Sequence, residues 1–160
     1  MLGLKYFEEN TSKSRKINNR KELGEREILT FLKISEFYGE KINLSDEKKH
    51  FLDLGCGDQH LKKSVEDRNM NYLGLDIIDV NFEFDKLPLD NNSIDFVITL
   101  AVIEHISNPD NFLSEILRVL KPGGMVYIST PNWYYSYKEF FDDPTHVKPY
   151  NPTTFEKILL

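Results

Sequence analysis

Asp53, Gly55, Gly57, Asp76 and Asp85 are the first residues whose types and spacing can do chemistry. In FLDLGCGDQH, residues 51–60, an apolar run ends on an acid and a Gly-Cys-Gly turn follows it, with Cys56 between the glycines. Gly55 and Gly57 lack Cβ atoms, so the turn can be tight and main chain can lie directly against a ligand. Asp53, just ahead of the turn, would repel a pyrophosphate and attract an ammonium group. Asp76 closes the next apolar run, where an acid can take both hydroxyls of a ribose. Asp85 follows a third short run and can accept from an adenine amino group. A dinucleotide loop needs a third glycine where this chain has His60, and a P-loop needs a Gly-Lys-Ser/Thr that is absent.

A ligand with a ribose, an adenine and an amino-acid ammonium but no phosphate is S-adenosylmethionine, and the constellation favours it over NAD. Taken alone, a Gly-x-Gly pair is equally what a structural tight turn looks like. Further along, His146 is the candidate general base, with Asp143 three residues earlier to orient its ring. Asp142, Asp143 and His146 would serve as well merely to tie their loop down by hydrogen bonds. His105, in IEHI after the fourth strand, would lie near the cofactor, where a structural or a catalytic role is open. An Asp-x-x-His pair offers two metal ligands, too few for a centre, so no metal is expected. Trp133, Tyr134, Tyr135, Tyr137, Phe140 and Phe141 crowd the same loop, either as ordinary packing or as the wall of an acceptor pocket.

Elements able to position these residues are legible in the patterning. Leu23, Ile28, Leu29, Phe31, Leu32 and Phe37 approximate one helical face over 21–38, with Gly39 as its stop. HFLDL, YLGLDI, NFEF, SIDFVITL and MVYIS read as five strands. Asp58 suits the cap of a helix carrying Leu61 and Val65. Asn108 caps another, with Pro109 at its first position, Phe112, Leu113, Ile116, Leu117 and Leu120 on its buried side and KPGG at its end. Asn151 caps a last one, PTTFEKILL. Strands alternating with helices imply an α/β, Rossmann-like, doubly wound and mostly parallel sheet with helices on both faces. Ligands then bind beyond the carboxyl ends of the strands, where strand order reverses.

A chain of 160 residues is read as a polar arm or lid over 1–20 and one domain over 21–160. The net charge of −6 argues against a nucleic-acid partner, and the single cysteine fits a reducing compartment. No apolar run is long enough to span a membrane, and the start is too short and polar for a signal peptide, so a cytoplasmic protein is expected.

FLDLGCGDQ, YLGLDI, FDKLPLDNNSIDFVITLAVIEHI and LKPGGMVYISTPN, in that order, resemble class I S-adenosylmethionine-dependent methyltransferases, most closely the branch acting on small molecules, sugars and lipids. DPTHVKPYNPTTFEKIL resembles a segment of bacterial methyltransferases associated with glycan and cell-surface synthesis. The resemblance implies a small-molecule acceptor and S-adenosyl-L-methionine as cofactor. It implies cofactor contacts from Asp53, Gly55, Cys56 and Gly57 around the methionine moiety and Asp76 at the ribose. Ile77 and Asp85 would meet adenine, and Leu100 and Ala101 the methionyl and ribose groups. Two departures stand out: Gln59 replaces a small glycine, and the usual last two strands are missing. Strand five would then present an open edge, as a truncated chain, a naturally short member or a homodimer covering that edge would each explain, and a non-catalytic cofactor-binding or interaction module is the alternative reading.

Overall fold

The computed structural model describes residues 20–37 and 48–159. Of the arm or lid expected over 1–20, residues 1–19 lie outside the described residues, as does the stop at Gly39. Four strands form one fully parallel sheet: β1 (His50–Leu54), β2 (Asn71–Leu75), β3 (Ile94–Leu100) and β4 (Leu120–Ser129), in the order β2-β1-β3-β4. β1 and β3 are buried on both faces, and their near-continuous apolar sequences are what such a position demands.

Alternation along these strands builds two cores. Phe51, Phe96 and Ile98 turn to one face and meet Ile28 and Phe31 of helix α1 (Arg20–Phe37) and Val65 of α2 (Lys62–Glu66). Leu52, Leu54, Ile94 and Val97 turn to the other. They meet Phe112, Ile116 and Val119 of α3 (Asp110–Val119), with Phe155 and Ile158 of α5 (Pro152–Leu159) packed against them. The short α4 (Trp133–Ser136) lies between β4 and α5 in sequence. The sheet is therefore covered on both faces, as expected.

Several local expectations need correction. NFEF is not a strand. The Asn81 carbonyl accepts from the Phe84 and Asp85 N–H groups, its side chain accepts from Glu83 N–H, and the Asp85 carboxylate accepts from Asn81 N–H. The segment spends its backbone groups on a local turn and has none to lend to β2. Asp58 is not a helix cap; it pairs with Arg20 at 3.1 Å and His60 at 3.4 Å. Asn108 does accept from Asp110 N–H, but Leu117 points outward at 69% exposure. KPGG lies inside β4, in a register shift that takes the pairing from Ile94–Leu120 to Phe96–Met125. Leu29 and Phe37 of α1 are also exposed. Among the described residues β4 is an edge strand, and no helix is long and apolar enough to cross a membrane.

Candidate functional site

The chain runs from β1 outward to β2, then returns across β1 to β3 and β4. Strand order reverses between β1 and β3, and a crevice at such a switch point opens beyond the strands' carboxyl ends. Two connections meet there. The glycine loop follows β1, and Ala101 and Val102 follow Leu100 at the end of β3. Their approach is so close that a Cβ on Gly55 would stand 2.2 Å from Val102 Cγ2, and Gly55 has a φ of +81°. Only glycine satisfies both conditions. Gly57, at φ +48°, faces open space instead.

β2 locks the other side of the loop. The Leu75 carbonyl accepts from Gly55 N–H at 2.8 Å and Cys56 N–H at 3.2 Å. Asp76 accepts from Gly57 N–H at 2.7 Å and from Ile77 N–H at 2.6 Å, so its two oxygens bridge the glycine loop and the end of β2. Asp79 in turn accepts from Asp76 N–H. Two non-glycine residues, Gln59 at φ 57° and Ala101 at φ 54°, hold left-handed conformations on either side of the crevice. Such strain, about 1–2 kcal/mol per residue, gathers where backbone must be aimed at something.

Asp53 is the electrostatic centre. Its side chain is buried, and the Tyr72 hydroxyl donates to it at 2.8 Å. Burial pushes its carboxyl up to about 7, against the pull of the Tyr72 hydrogen bond and helped by the nearby charges of Asp76 and Asp58. Burial likewise pushes the Cys56 thiol up to about 11, so this sulfur is a packing group and not a nucleophile. Among the described residues the site gathers negative charge, and the charges that bear on Asp53 are those of Asp76 and Asp58.

Asp53, Gly55, Cys56, Gly57 and Asp76 thus come together, and Ala101 N–H joins β3 to β4 by donating to Ser129. Leu100 is half-buried beside it. Ile77, next to Asp76, holds its side chain 65% in solvent. Asp85 stands in its own turn, anchored through its carbonyl to Asn111 at 3.0 Å. The acids whose charges bear on Cys56 are Asp53, Asp76 and Asp79, the last unforeseen. Tyr72 was also missed, although its phenol sits at the mid-strand position facing the acid of β1.

A second cluster occupies the neighbouring tips of β3 and β4. Glu104, in the 3-10 turn Ile103–His105, is fully buried and accepts from the Thr130 hydroxyl at 3.0 Å. Its carbonyl receives the N–H groups of Val147 and Lys148, which pins the aromatic loop to this turn. The His146 ring packs against Phe140 and His105, with centroids 4.4 and 4.7 Å away. Asp143 does not orient that ring as expected: its Oδ2 is 4.0 Å from Nε2, too long for a hydrogen bond, while the Phe140 carbonyl holds Nδ1 at 2.6 Å. Trp133 makes edge contacts with Tyr137, Phe140 and Phe141, whereas Tyr134 and Tyr135 face solvent.

A doubly wound parallel sheet whose switch-point loop is turned by glycines and ringed by acids is an α/β domain for a nucleoside-type cofactor. Residues 25–160 match the family described as "Methyltransferase domain", and the chain belongs to it. It is 33% identical over 96 residues to a protein of Mycolicibacterium smegmatis named "Probable S-adenosylmethionine-dependent methyltransferase", covering 51% of this chain and 37% of that one. It is 37% identical over 76 residues to the mitochondrial ubiquinone biosynthesis O-methyltransferase of Dictyostelium discoideum, covering 47% and 22%. The chain thus spans well under half the length of these two relatives. Among solved structures, an S-adenosylmethionine-dependent methyltransferase of Archaeoglobus fulgidus aligns with a TM-score of 0.63 at 25% identity, over 87% of this chain and 66% of its own. Phosphoethanolamine N-methyltransferase 2 of Haemonchus contortus, complexed with S-adenosyl-L-methionine, aligns at 0.55 and 22%, over 72% and 33%, and shares the fold.

Proposed function

We propose that this chain is the cofactor-binding domain of an S-adenosylmethionine-dependent methyltransferase acting on a small-molecule acceptor. One observation carries the reading: Asp53 is a buried carboxylate at the mouth of the glycine loop, held half-protonated near neutral pH, with no side-chain cation beside it among the described residues. Such a group is built to receive a cation from a ligand, and an amino-acid ammonium is the cation that reaches past a glycine turn. A pyrophosphate would be repelled at the same spot. Asp76, oriented by two backbone N–H groups, keeps lone pairs for the two hydroxyls of a ribose. Main chain at Gly55 and Gly57 would lie along the methionine moiety, with Leu100 and Ala101 on the opposite wall. Ile77 would cover adenine, and Asp85 its amino group.

Bound there, the cofactor supplies a methyl group on a positively charged sulfur, for which alignment with the acceptor and exclusion of water matter more than activation. The loop after β4 would form the acceptor side, its exposed Tyr134, Tyr135, Tyr137 and Phe141 offering ring faces to a sugar, lipid or aromatic acceptor. His146 has 14% of its side chain exposed and is wedged between two rings, so we assign it to holding this loop rather than to taking the acceptor's proton.

The test is calorimetry of the folded chain with S-adenosylmethionine and S-adenosylhomocysteine. Binding of both at one equivalent, lost together in Asp76→Ala, is the expected result. A folded chain that binds neither removes the enzyme reading and leaves an interaction module.

A further inference from the structure

Glu104 and His105 come from the turn after β3 and His146 from the loop after β4, yet one ligand atom from each lies within 4.8 Å of the other two. Glu104 is wholly buried: Oε2 is engaged by Thr130, while Oε1 has no hydrogen-bond partner among the described residues. Leaving a carboxylate oxygen in that state costs about 1–3 kcal/mol or more. An electron-pair acceptor set against Oε1 would relieve that cost.

The two imidazoles show what it is. The Phe140 carbonyl can only accept, so His146 Nδ1 carries the proton and Nε2 the lone pair. The Thr145 hydroxyl donates to Asp143, so it and the Thr145 carbonyl can only accept from His105 Nδ1. His105 is therefore the same tautomer, again with Nε2 as its lone-pair nitrogen. A backbone carbonyl on the far nitrogen is how a metal-ligating histidine is fixed. Asp143 brings a second carboxylate, with Oδ1 held by Thr145 and Oδ2 turned toward His146 Nε2 at 4.0 Å.

We propose that Glu104, His105 and His146, with Asp143 closing the set, bind one divalent cation of the zinc type, which staples the acceptor loop to the tip of β3. Two imidazoles with carboxylates suit a borderline-soft ion, whereas magnesium and calcium prefer oxygen alone. The burial of Glu104 makes the site a closed, structural one. Bonds of about 2.0–2.2 Å set tetrahedral ligands roughly 3.3 Å apart, so binding draws Glu104, His105 and His146 together by up to about 1.5 Å and brings Asp143 in from outside that group. Asp143-x-x-His146 alone offered too few ligands for this; folding adds the other two. The proposal stands apart from methyl transfer, since a metal titration tests it and cofactor calorimetry tests the other.

The experiment strips the wild-type chain with chelator and titrates it with Zn²⁺ by calorimetry and with Co²⁺ by visible absorption. One equivalent of each should bind, with the intense d–d bands of a four-coordinate ion and a raised melting temperature. Glu104→Gln and His146→Gln should each weaken zinc binding by about 100-fold or more, and affinity should fall as pH drops through the imidazole range. Absence of saturable one-equivalent binding by the wild type overturns the site whatever the variants do. So does unchanged affinity in both variants, which would place the ion elsewhere and leave Glu104 a protonated, purely packed acid.

Discussion

Replacing Asp53 with asparagine should make the cofactor-free protein more stable and a poorer binder at once. Asparagine keeps the shape and still accepts the Tyr72 hydrogen bond, so the charge is what changes. The carboxyl stands at about 7 in the folded chain against an ordinary value of 3.8, chiefly because it is buried. An acid raised in this way contributes its full stability below the unfolded value and loses it as pH climbs through the folded one. About three units at 1.36 kcal/mol each make an ionised Asp53 cost the folded state roughly 4 kcal/mol at alkaline pH. Between pH 5 and pH 8 about two of those units are traversed, so the stability gap between Asp53→Asn and wild type should widen by about 3 kcal/mol in favour of the variant.

Urea denaturation of both proteins at several pH values reads this directly, as a midpoint difference that grows with pH at constant slope. A gap that stays flat from pH 5 to pH 8 would mean Asp53 titrates like a solvated acid, and the argument for a cation-seeking site would go with it. Binding should move the other way, with S-adenosylmethionine affinity falling about 10–100-fold in the variant, the size of a lost charge-assisted contact. Wild-type binding near neutral pH should also release a fraction of a proton, because a ligand ammonium returns Asp53 to its ionised form. Calorimetry in buffers of different ionisation enthalpy measures that fraction.

The two glycines should separate packing from ligand approach. Gly55→Ala meets Val102 and an unfavourable φ and should cost several kcal/mol, partly restored by adding Val102→Ala. Gly57→Ala meets nothing and should cost about 1 kcal/mol of stability while still weakening cofactor binding; equal effects on both properties would refute the distinction. Asp76→Ala removes the acceptor for two N–H groups, so the loop should loosen in hydrogen exchange and cofactor binding fall at least about tenfold. Arg118 donates to the Leu87 and Leu89 carbonyls, to Asn91 and to Glu115; Arg118→Ala should lower stability by about 2 kcal/mol without touching cofactor affinity.

What the sequence made legible was local and periodic. Phe51, Leu52 and Leu54, and Ile94 through Ile98, announce strands buried on both faces, and the structure pairs them as the two central strands. The order of the motifs, rather than any single one, placed the glycine loop and Asp76 at one edge. NFEF failed because alternation over four residues does not separate a strand from a turn. Phe82 is buried against Phe112 and Phe84 is exposed in either case, and the side chains of Asn81 and Asp85 decided the matter by capturing the backbone.

The arrangement of the loop after β4 was illegible for a different reason. Glu104 looks like one acid in a short turn, and nothing in AVIEHI says that it is fully buried. Its burial follows from the aromatic loop, which returns after β4 to lay Val147 and Lys148 N–H groups on the Glu104 carbonyl. That contact joins segments with two helices and a strand between them, and no spacing rule spans it. The same return sets both histidine tautomers, through Phe140 and Thr145 carbonyls that the sequence cannot show as neighbours of anything. A carboxylate left short of one partner and two imidazoles turned lone pair inward are a tertiary product. The domain therefore carries two buried carboxylates on one sheet edge, and the two proposals assign a ligand ammonium to Asp53 and a bound cation to Glu104.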